Sequence, residues 1–228
     1  MNIAALCKEL IPNITDAQAE KFSIYGEMLI DWNTRMNLTA ITDPVEVVQK
    51  HFADSVLPME LIPKGAKVID VGTGAGFPGV PLAIMREDIS LTLLDSLNKR
   101  ITFLTELCKA LNINAKCIHA RAEDGGRNPE LREKYDIATS RAVAGVSPLL
   151  EYTVPFLKVG GSSLMYKGPQ AAEELAGAEK AMKVLSCKGS IVSYSPSWGE
   201  RNVIIAKKLS PTPKTYPRKA GTASKNPL

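Results

Sequence analysis

The chain has 228 residues, 45% of them hydrophobic and 23% charged, which suffices for the core and the wetted surface of one α/β domain. No apolar run approaches the roughly 18 residues of a membrane span, and Met1-Asn2-Ile3-Ala4-Ala5-Leu6 lacks a signal-peptide layout, so the cytoplasm is the expected location. Net charge is +4, but residues 201–228 carry seven Lys and Arg and no acid, leaving −3 for residues 1–200; such a basic end suits an anionic partner.

Residues 1–60 read as helical. Thr15-Asp16-Ala17-Gln18 has the form of a capping box, and Phe22, Tyr25, Leu29, Trp32 and Met36 then recur at threes and fours, a stripe that reads as core packing. Asp43-Pro44-Val45-Glu46 opens a second helix, with an acid in the cap position and proline where its missing N–H costs nothing. His51, on this helix, serves equally as a buried hydrogen-bond partner or as a substrate contact. Pro58 to Gly65 is a hinge.

The hinge leads into Val68-Ile69-Asp70-Val71, a β-branched run suited to a strand buried on both faces. Gly72-Thr73-Gly74-Ala75-Gly76-Phe77-Pro78-Gly79 follows, and Val80 to Met85 can start a helix. Strand, glycine turn and helix open a nucleotide-binding α/β unit. From Gly74 the string satisfies G-x-G-x-x-G, the dinucleotide fingerprint; from Gly72 it reads G-x-G-x-G. An acid at the strand end repels a pyrophosphate but accepts from an ammonium. That suits S-adenosylmethionine, which has a cationic amino acid end and no phosphate.

Strands and helices then alternate: a strand at Leu91–Asp95, a helix at Lys99–Leu111, and a strand at Lys116–Ala120. A polar loop from Gly125 to Glu133 precedes a strand at Tyr135–Thr139. Ser147 caps a helix through Leu157, and Gly160-Gly161 turns it into a strand at Ser162–Tyr166. A long helix, Ala171–Leu185, precedes the hairpin strands Ile191–Tyr194 and Asn202–Ala206. The fold class that follows is α/β, a Rossmann-like doubly wound, mostly parallel sheet of seven strands with a C-terminal antiparallel hairpin and an N-terminal helical extension. The expected divisions are 1–63 for the extension, 64–208 for the core and 209–228 for the basic tail. With two histidines, and four cysteines that share no C-x-x-C spacing, a metal centre or a Ser-His-Asp triad has little to draw on.

Ligands in such sheets sit at the carboxyl ends of the strands. Asp95 stands about twenty residues past the glycine turn, where an acid accepts both ribose hydroxyls. Ala122 offers a backbone N–H to an adenine edge, and Glu123 an acceptor for its amine. Arg141 and Lys167 end the fourth and fifth strands.

These residues resemble the bacterial small-subunit ribosomal RNA methyltransferase G family, also called glucose-inhibited division protein B. The likeness is carried by Asp70 to Gly79, Leu94 to Arg100, Thr102-Phe103-Leu104, Arg121-Ala122-Glu123, Ser140-Arg141-Ala142, and the tail Tyr216 to Thr222. Trp32-Asn33, Asn37 to Ile41, His51 and Asp54-Ser55 extend it towards the amino end. Ala223 departs from it, since the family tail often has proline there. The resemblance implies a class I S-adenosylmethionine-dependent methyltransferase, a monomer, acting on N7 of a guanine in 16S ribosomal RNA. It implies cofactor contacts at Gly72, Phe77, Ala122, Glu123 and Arg141, with Arg141 also the catalytic position; the glycine turn and the spacing add Gly74 and Asp95 to the expected cofactor contacts. RNA contacts are expected at Lys167, Arg218 and Lys219. Guanine N7 carries a lone pair and no proton, so the lack of an obvious general base agrees with this assignment. Two other readings stay open on the residues alone: an NAD-dependent oxidoreductase, from the glycine string with Asp95, and a non-enzymatic RNA-binding protein, from the basic end.

Overall fold

The computed structural model describes residues 2–228. Two helices lead, α1 (Ile3–Leu10) and α2 (Asp16–Asn33). The capping box forms: Thr15 Oγ1 accepts from the Gln18 N–H at 3.2 Å, and Gln18 Oε1 from the Thr15 N–H at 2.9 Å. Phe22, Tyr25 and Leu29 are buried, but α2 stops at Asn33 and Met36 lies in the turn beyond it. Asn33 turns the chain back, its Oδ1 accepting from the N–H groups of Leu38 and Thr39 at 2.8 and 3.0 Å.

Helix α3 (Pro44–Val47) is capped by Asp43, whose Oδ1 accepts from the Glu46 N–H at 3.0 Å. It widens into a π-turn over Val48–Ala53 and closes as α4 (Asp54–Val56). Side-chain periodicity gives no notice of such widening, which frees backbone carbonyls for other donors. Within the expected hinge, Met59–Leu61 forms a 3-10 turn.

The alternation then runs β1 (Lys67–Val71), α5 (Gly79–Met85), β2 (Ser90–Asp95), α6 (Asn98–Ala110), β3 (Ala115–His119), α7 (Ala122–Gly125), β4 (Tyr135–Arg141) and α8 (Val146–Thr153). It ends with β5 (Leu157–Lys167), α9 (Ala171–Ala176), α10 (Glu179–Val184), β6 (Cys187–Tyr194), β7 (Arg201–Lys208) and α11 (Thr222–Lys225). Among the described residues the seven strands form one sheet in the order β3-β2-β1-β4-β5-β7-β6. Strands β1 to β5 are parallel, and β7 runs antiparallel to both β5 and β6. The doubly wound sheet and the closing hairpin are as the sequence predicts.

Three local expectations fail. Gly145, not Ser147, is the N-cap of α8, and Ser147 Oγ donates instead to a Leu228 oxygen at 3.0 Å. That helix ends at Thr153; Leu157 already belongs to β5, which runs through Gly160-Gly161 with a register shift against β4 between Tyr135 and Ile137. The long helix expected over 171–185 is broken at Gly177-Ala178 into α9 and α10, as the low helix propensity of glycine allows.

A parallel sheet needs both faces covered. Helices α2, α5 and α6 cover one, burying Phe22, Leu29, Leu82, Phe103 and Leu107 against Leu93. Helices α8 and α10 cover the other, where Leu149, Leu150 and Leu185 meet Met165 and Ile204. Because β1 lies between β2 and β4, the order reverses there, and the crevice at the carboxyl ends of β1 and β4 is the switch point.

Candidate cofactor and substrate site

The glycine turn is bound to the end of β2. Gly72 N–H donates to the Leu94 carbonyl at 2.8 Å, and Gly74 N–H donates to Asp95 Oδ2 at 2.9 Å. Both glycines have positive φ, +70° and +62°, a region closed to most side chains. Asp95 is 2% exposed, and its Oδ1 accepts from the Leu97 N–H at 2.9 Å. From the other side Tyr25, buried in α2, donates its hydroxyl to the Ala75 carbonyl at 2.6 Å, so the helical extension grips the turn.

A cavity of about 280 Å³ opens beside this turn, lined by Gly72, Asp95, Ala122, Glu123, Val143 and Tyr152. Gly221 and Ser224, from the basic tail, complete its wall. The tail is docked: Gly221 N–H donates to Glu123 Oε1 at 2.8 Å, and Arg218 holds Glu151 through its backbone N–H at 2.6 Å and its Nη2 at 2.8 Å. Arg132 adds bonds to the carbonyls of Tyr216 and Thr212 at 2.8 and 2.9 Å. A larger cavity, about 860 Å³, lies at the opposite edge of the sheet beside Lys67, Ser90 and Lys116, away from the strand ends where such folds hold ligands.

Arg141 ends β4 and is held on several sides. Its Nη1 donates to the Lys50 carbonyl freed by the π-turn, at 3.1 Å, and lies 3.4 Å from Asp54 Oδ2. Its guanidinium carbon stands 4.9 Å above the Phe77 ring. Its Nη2 lies 3.2 Å from His51 Nδ1. An arginine can only donate, so His51 accepts at Nδ1 and carries its proton on Nε2, 2.7 Å from Thr39 Oγ1. Burial, with the adjacent guanidinium, depresses the His51 pKa to about 4, and the imidazole is neutral. His51 stacks on Phe77 with ring centroids 4.5 Å apart.

The strand-end residues therefore separate into two groups. Gly72, Asp95, Ala122 and Glu123 line the cavity beside the glycine turn; Gly74 shapes it through its bond to Asp95. Arg141 lines a second cavity, of about 330 Å³, together with Asp54, Tyr166 and Arg201, and Phe77 packs beneath the guanidinium. Asp70, read as an ammonium acceptor, is fully buried: Oδ2 accepts from the Gly79 N–H at 3.0 Å and Oδ1 from the Thr139 hydroxyl at 2.9 Å. It pins β1 to α5 and β4 instead, and burial raises its pKa to about 6. Lys167 and Arg218, expected on RNA phosphates, make internal contacts: Lys167 Nζ meets the Ala144 carbonyl and Glu174, each at 2.7 Å, and Arg218 meets Glu151. Lys219 is exposed. Sequence reasoning missed Asp54, Tyr152, Gly221, Ser224 and the pairing of Arg201 with Asp54; the one signal was the presence of Asp54 and Gly221 in the segments that carry the resemblance.

Residues 18–203 match the family model for the rRNA small subunit methyltransferase G. The chain is 47% identical over 228 residues to the ribosomal RNA small subunit methyltransferase G of Clostridium perfringens (strain 13 / Type A), with 97% of this chain and 95% of the relative covered. It is 48% identical over 223 residues to the protein of that name in Alkaliphilus oremlandii (strain OhILAs), covering 94% and 92%. Among solved structures, the predicted O-methyltransferase Atu636 of Agrobacterium tumefaciens superposes with a TM-score of 0.54 at 19% identity, over 69% of this chain and 81% of that one, which speaks for the fold alone.

Proposed function

The chain belongs to the rRNA small subunit methyltransferase G family, and we propose how its residues divide that family's reaction. It is a methyltransferase that uses S-adenosylmethionine to methylate guanine N7 in 16S ribosomal RNA. The observation that carries the cofactor assignment is the bond from Gly74 N–H to Asp95 Oδ2, which sets a turn with glycines at its positive-φ positions beside a buried carboxylate that lines one cavity. Those residues fit the cofactor: Gly72 and Gly74 leave room for the methionine part, and Asp95 Oδ1 keeps a lone pair for a ribose hydroxyl, Oδ2 being met by Gly74 N–H and by Arg100 Nη1 at 3.4 Å, while Ala122 with Glu123 faces the adenine. When bound, S-adenosylmethionine supplies a methyl group on a cationic sulfur, which the N7 lone pair attacks as the carbon–sulfur electrons return to sulfur.

No side chain has to take a proton in that step, so the protein's part is alignment and exclusion of water. Arg141, fixed by His51, Asp54 and the π-turn carbonyls, stands with Ala142 on the wall of the second cavity, two residues from Val143 of the first. It positions base and cofactor relative to each other, the role proposed for it as the catalytic residue. Phe77 supports it from below. Lys219 is free to meet a phosphate; Lys167 and Arg218 contribute by holding the loop at Ala144 and the tail in place. Residues 1–63 serve as a helical extension, 64–208 as the core and 209–228 as a tail, in a monomeric enzyme of the cytoplasm.

The test is methyl transfer to 16S RNA lacking the modification, followed by nuclease digestion and mass mapping. The parent protein makes 7-methylguanosine at one position. Gly72→Val makes none: a Cβ there meets Val143 Cγ2 at 2.8 Å, and the left-handed backbone costs an L-residue roughly 1–2 kcal/mol. A parent protein that makes no 7-methylguanosine overturns the proposal.

A further inference from the structure

The second cavity adjoins the cofactor cavity across four consecutive residues: Arg141 and Ala142 line the one, Val143 and Ala144 the other. Leu57, Pro58, Tyr166 and Val203 give it apolar walls, and Asp54, only 7% exposed, supplies a carboxylate. Arg201 Nε donates to Asp54 Oδ1 at 2.5 Å, and Arg141 Nη1 stands 3.4 Å from Oδ2. Resting on the guanine-N7 reading above, we propose that this cavity receives the target guanine, swung out of its RNA stack, with Asp54 accepting from the Watson–Crick edge of the base.

A base that leaves its stack needs apolar or aromatic surface to replace what it gives up, and these walls provide it. The reaction then sets its orientation. N7 looks back across Arg141–Ala142 towards the methyl donor, so the 2-amino group and N1–H turn away from it. Both are donors, and each Asp54 oxygen keeps a lone pair beyond its guanidinium contact. Adenine offers an unprotonated N1 and no 2-amino group at that edge, so the same carboxylate selects against it. The two arginines are already balanced in part by Asp54, which limits their repulsion of the cationic 7-methylguanine product.

Gly168 lines this cavity, and a Cβ built on it meets nothing within 4 Å, so a side chain can start there without a clash and Gly168→Trp is the variant chosen to fill the space. The expected result is near-parental uptake of S-adenosylhomocysteine by calorimetry, with methyl transfer to 16S RNA reduced about 100-fold or more. Near-parental transfer by Gly168→Trp overturns the proposal. A measurement on the parent protein needs no variant: 16S RNA carrying 6-thioguanosine at the methylated position is irradiated in complex with it. Crosslinks are expected within residues 54–58, 166–168 or 194–203, and crosslinks confined to other residues overturn the assignment. A parent protein that leaves N7 unmethylated defeats the underlying reading, and mass mapping of its product shows this separately from where the crosslink falls.

Discussion

Two side chains near the glycine turn, the half-buried His51 and the buried Asp70, titrate in opposite senses. His51, depressed from 6.5 to about 4 by burial and by Arg141, binds fewer protons in the folded than in the unfolded chain between those values. It therefore makes stability rise with pH across that window, and its contribution is lost as pH falls through about 4. Asp70, raised from 3.8 to about 6 by burial, binds more protons when folded, so its contribution is present below 3.8 and lost as pH rises through about 6. In the parent protein the two slopes largely offset each other between pH 4 and 6. Asp70→Asn exposes the His51 slope, so that variant gains stability on going from pH 4 to 6; His51→Gln exposes the Asp70 slope and loses it. Urea denaturation at a series of pH values measures both. Equal slopes in the two variants contradict the assignment.

At the scale of elements, the tail is a wall of the cavity beside the glycine turn as well as a basic surface. Arg218→Glu sets a carboxylate against Glu151, which is 1% exposed and left without its ion pair. Breaking such a buried pair costs about 3–5 kcal/mol, enough to lift the segment that carries Gly221 and Ser224. The expected result is an affinity for S-adenosylhomocysteine lower by about tenfold, with new protease cleavage after Lys214 or Lys219. Affinity unchanged in a variant whose tail is cleaved would remove the tail from the cavity. The strands and the glycine turn were legible because β-branched runs and glycine spacing are local signals, and Asp95 because its distance from the turn is. The tail's role was not legible: four cations without an acid state a charge, and only tertiary packing tells that Arg218 spends its own on Glu151. The π-turn at Val48–Ala53 and the Asp54–Arg201 pair escaped for the same reason, since one depends on hydrogen-bond register and the other joins residues 147 positions apart.

For the whole molecule, the topology brings three distant segments to one edge of the sheet. The helical extension supplies Tyr25, His51 and Asp54, the core supplies Gly72, Asp95 and Arg141, and the tail supplies Gly221. No helix among the described residues is long and apolar enough to cross a membrane. Lys214, Lys219 and Lys225 are exposed on the chain whose Gly221 and Ser224 wall the cavity beside the glycine turn; on the proposed function, an RNA drawn to them arrives beside that cavity, with an attraction that salt weakens. The most direct measurement is a crystal structure of the protein with S-adenosylhomocysteine. A ribose hydroxyl should lie on Asp95 Oδ1, the adenine between Ala122 and the tail, and the sulfur over Gly72. Ligand density elsewhere, with Gly72 and Asp95 untouched, would contradict the account.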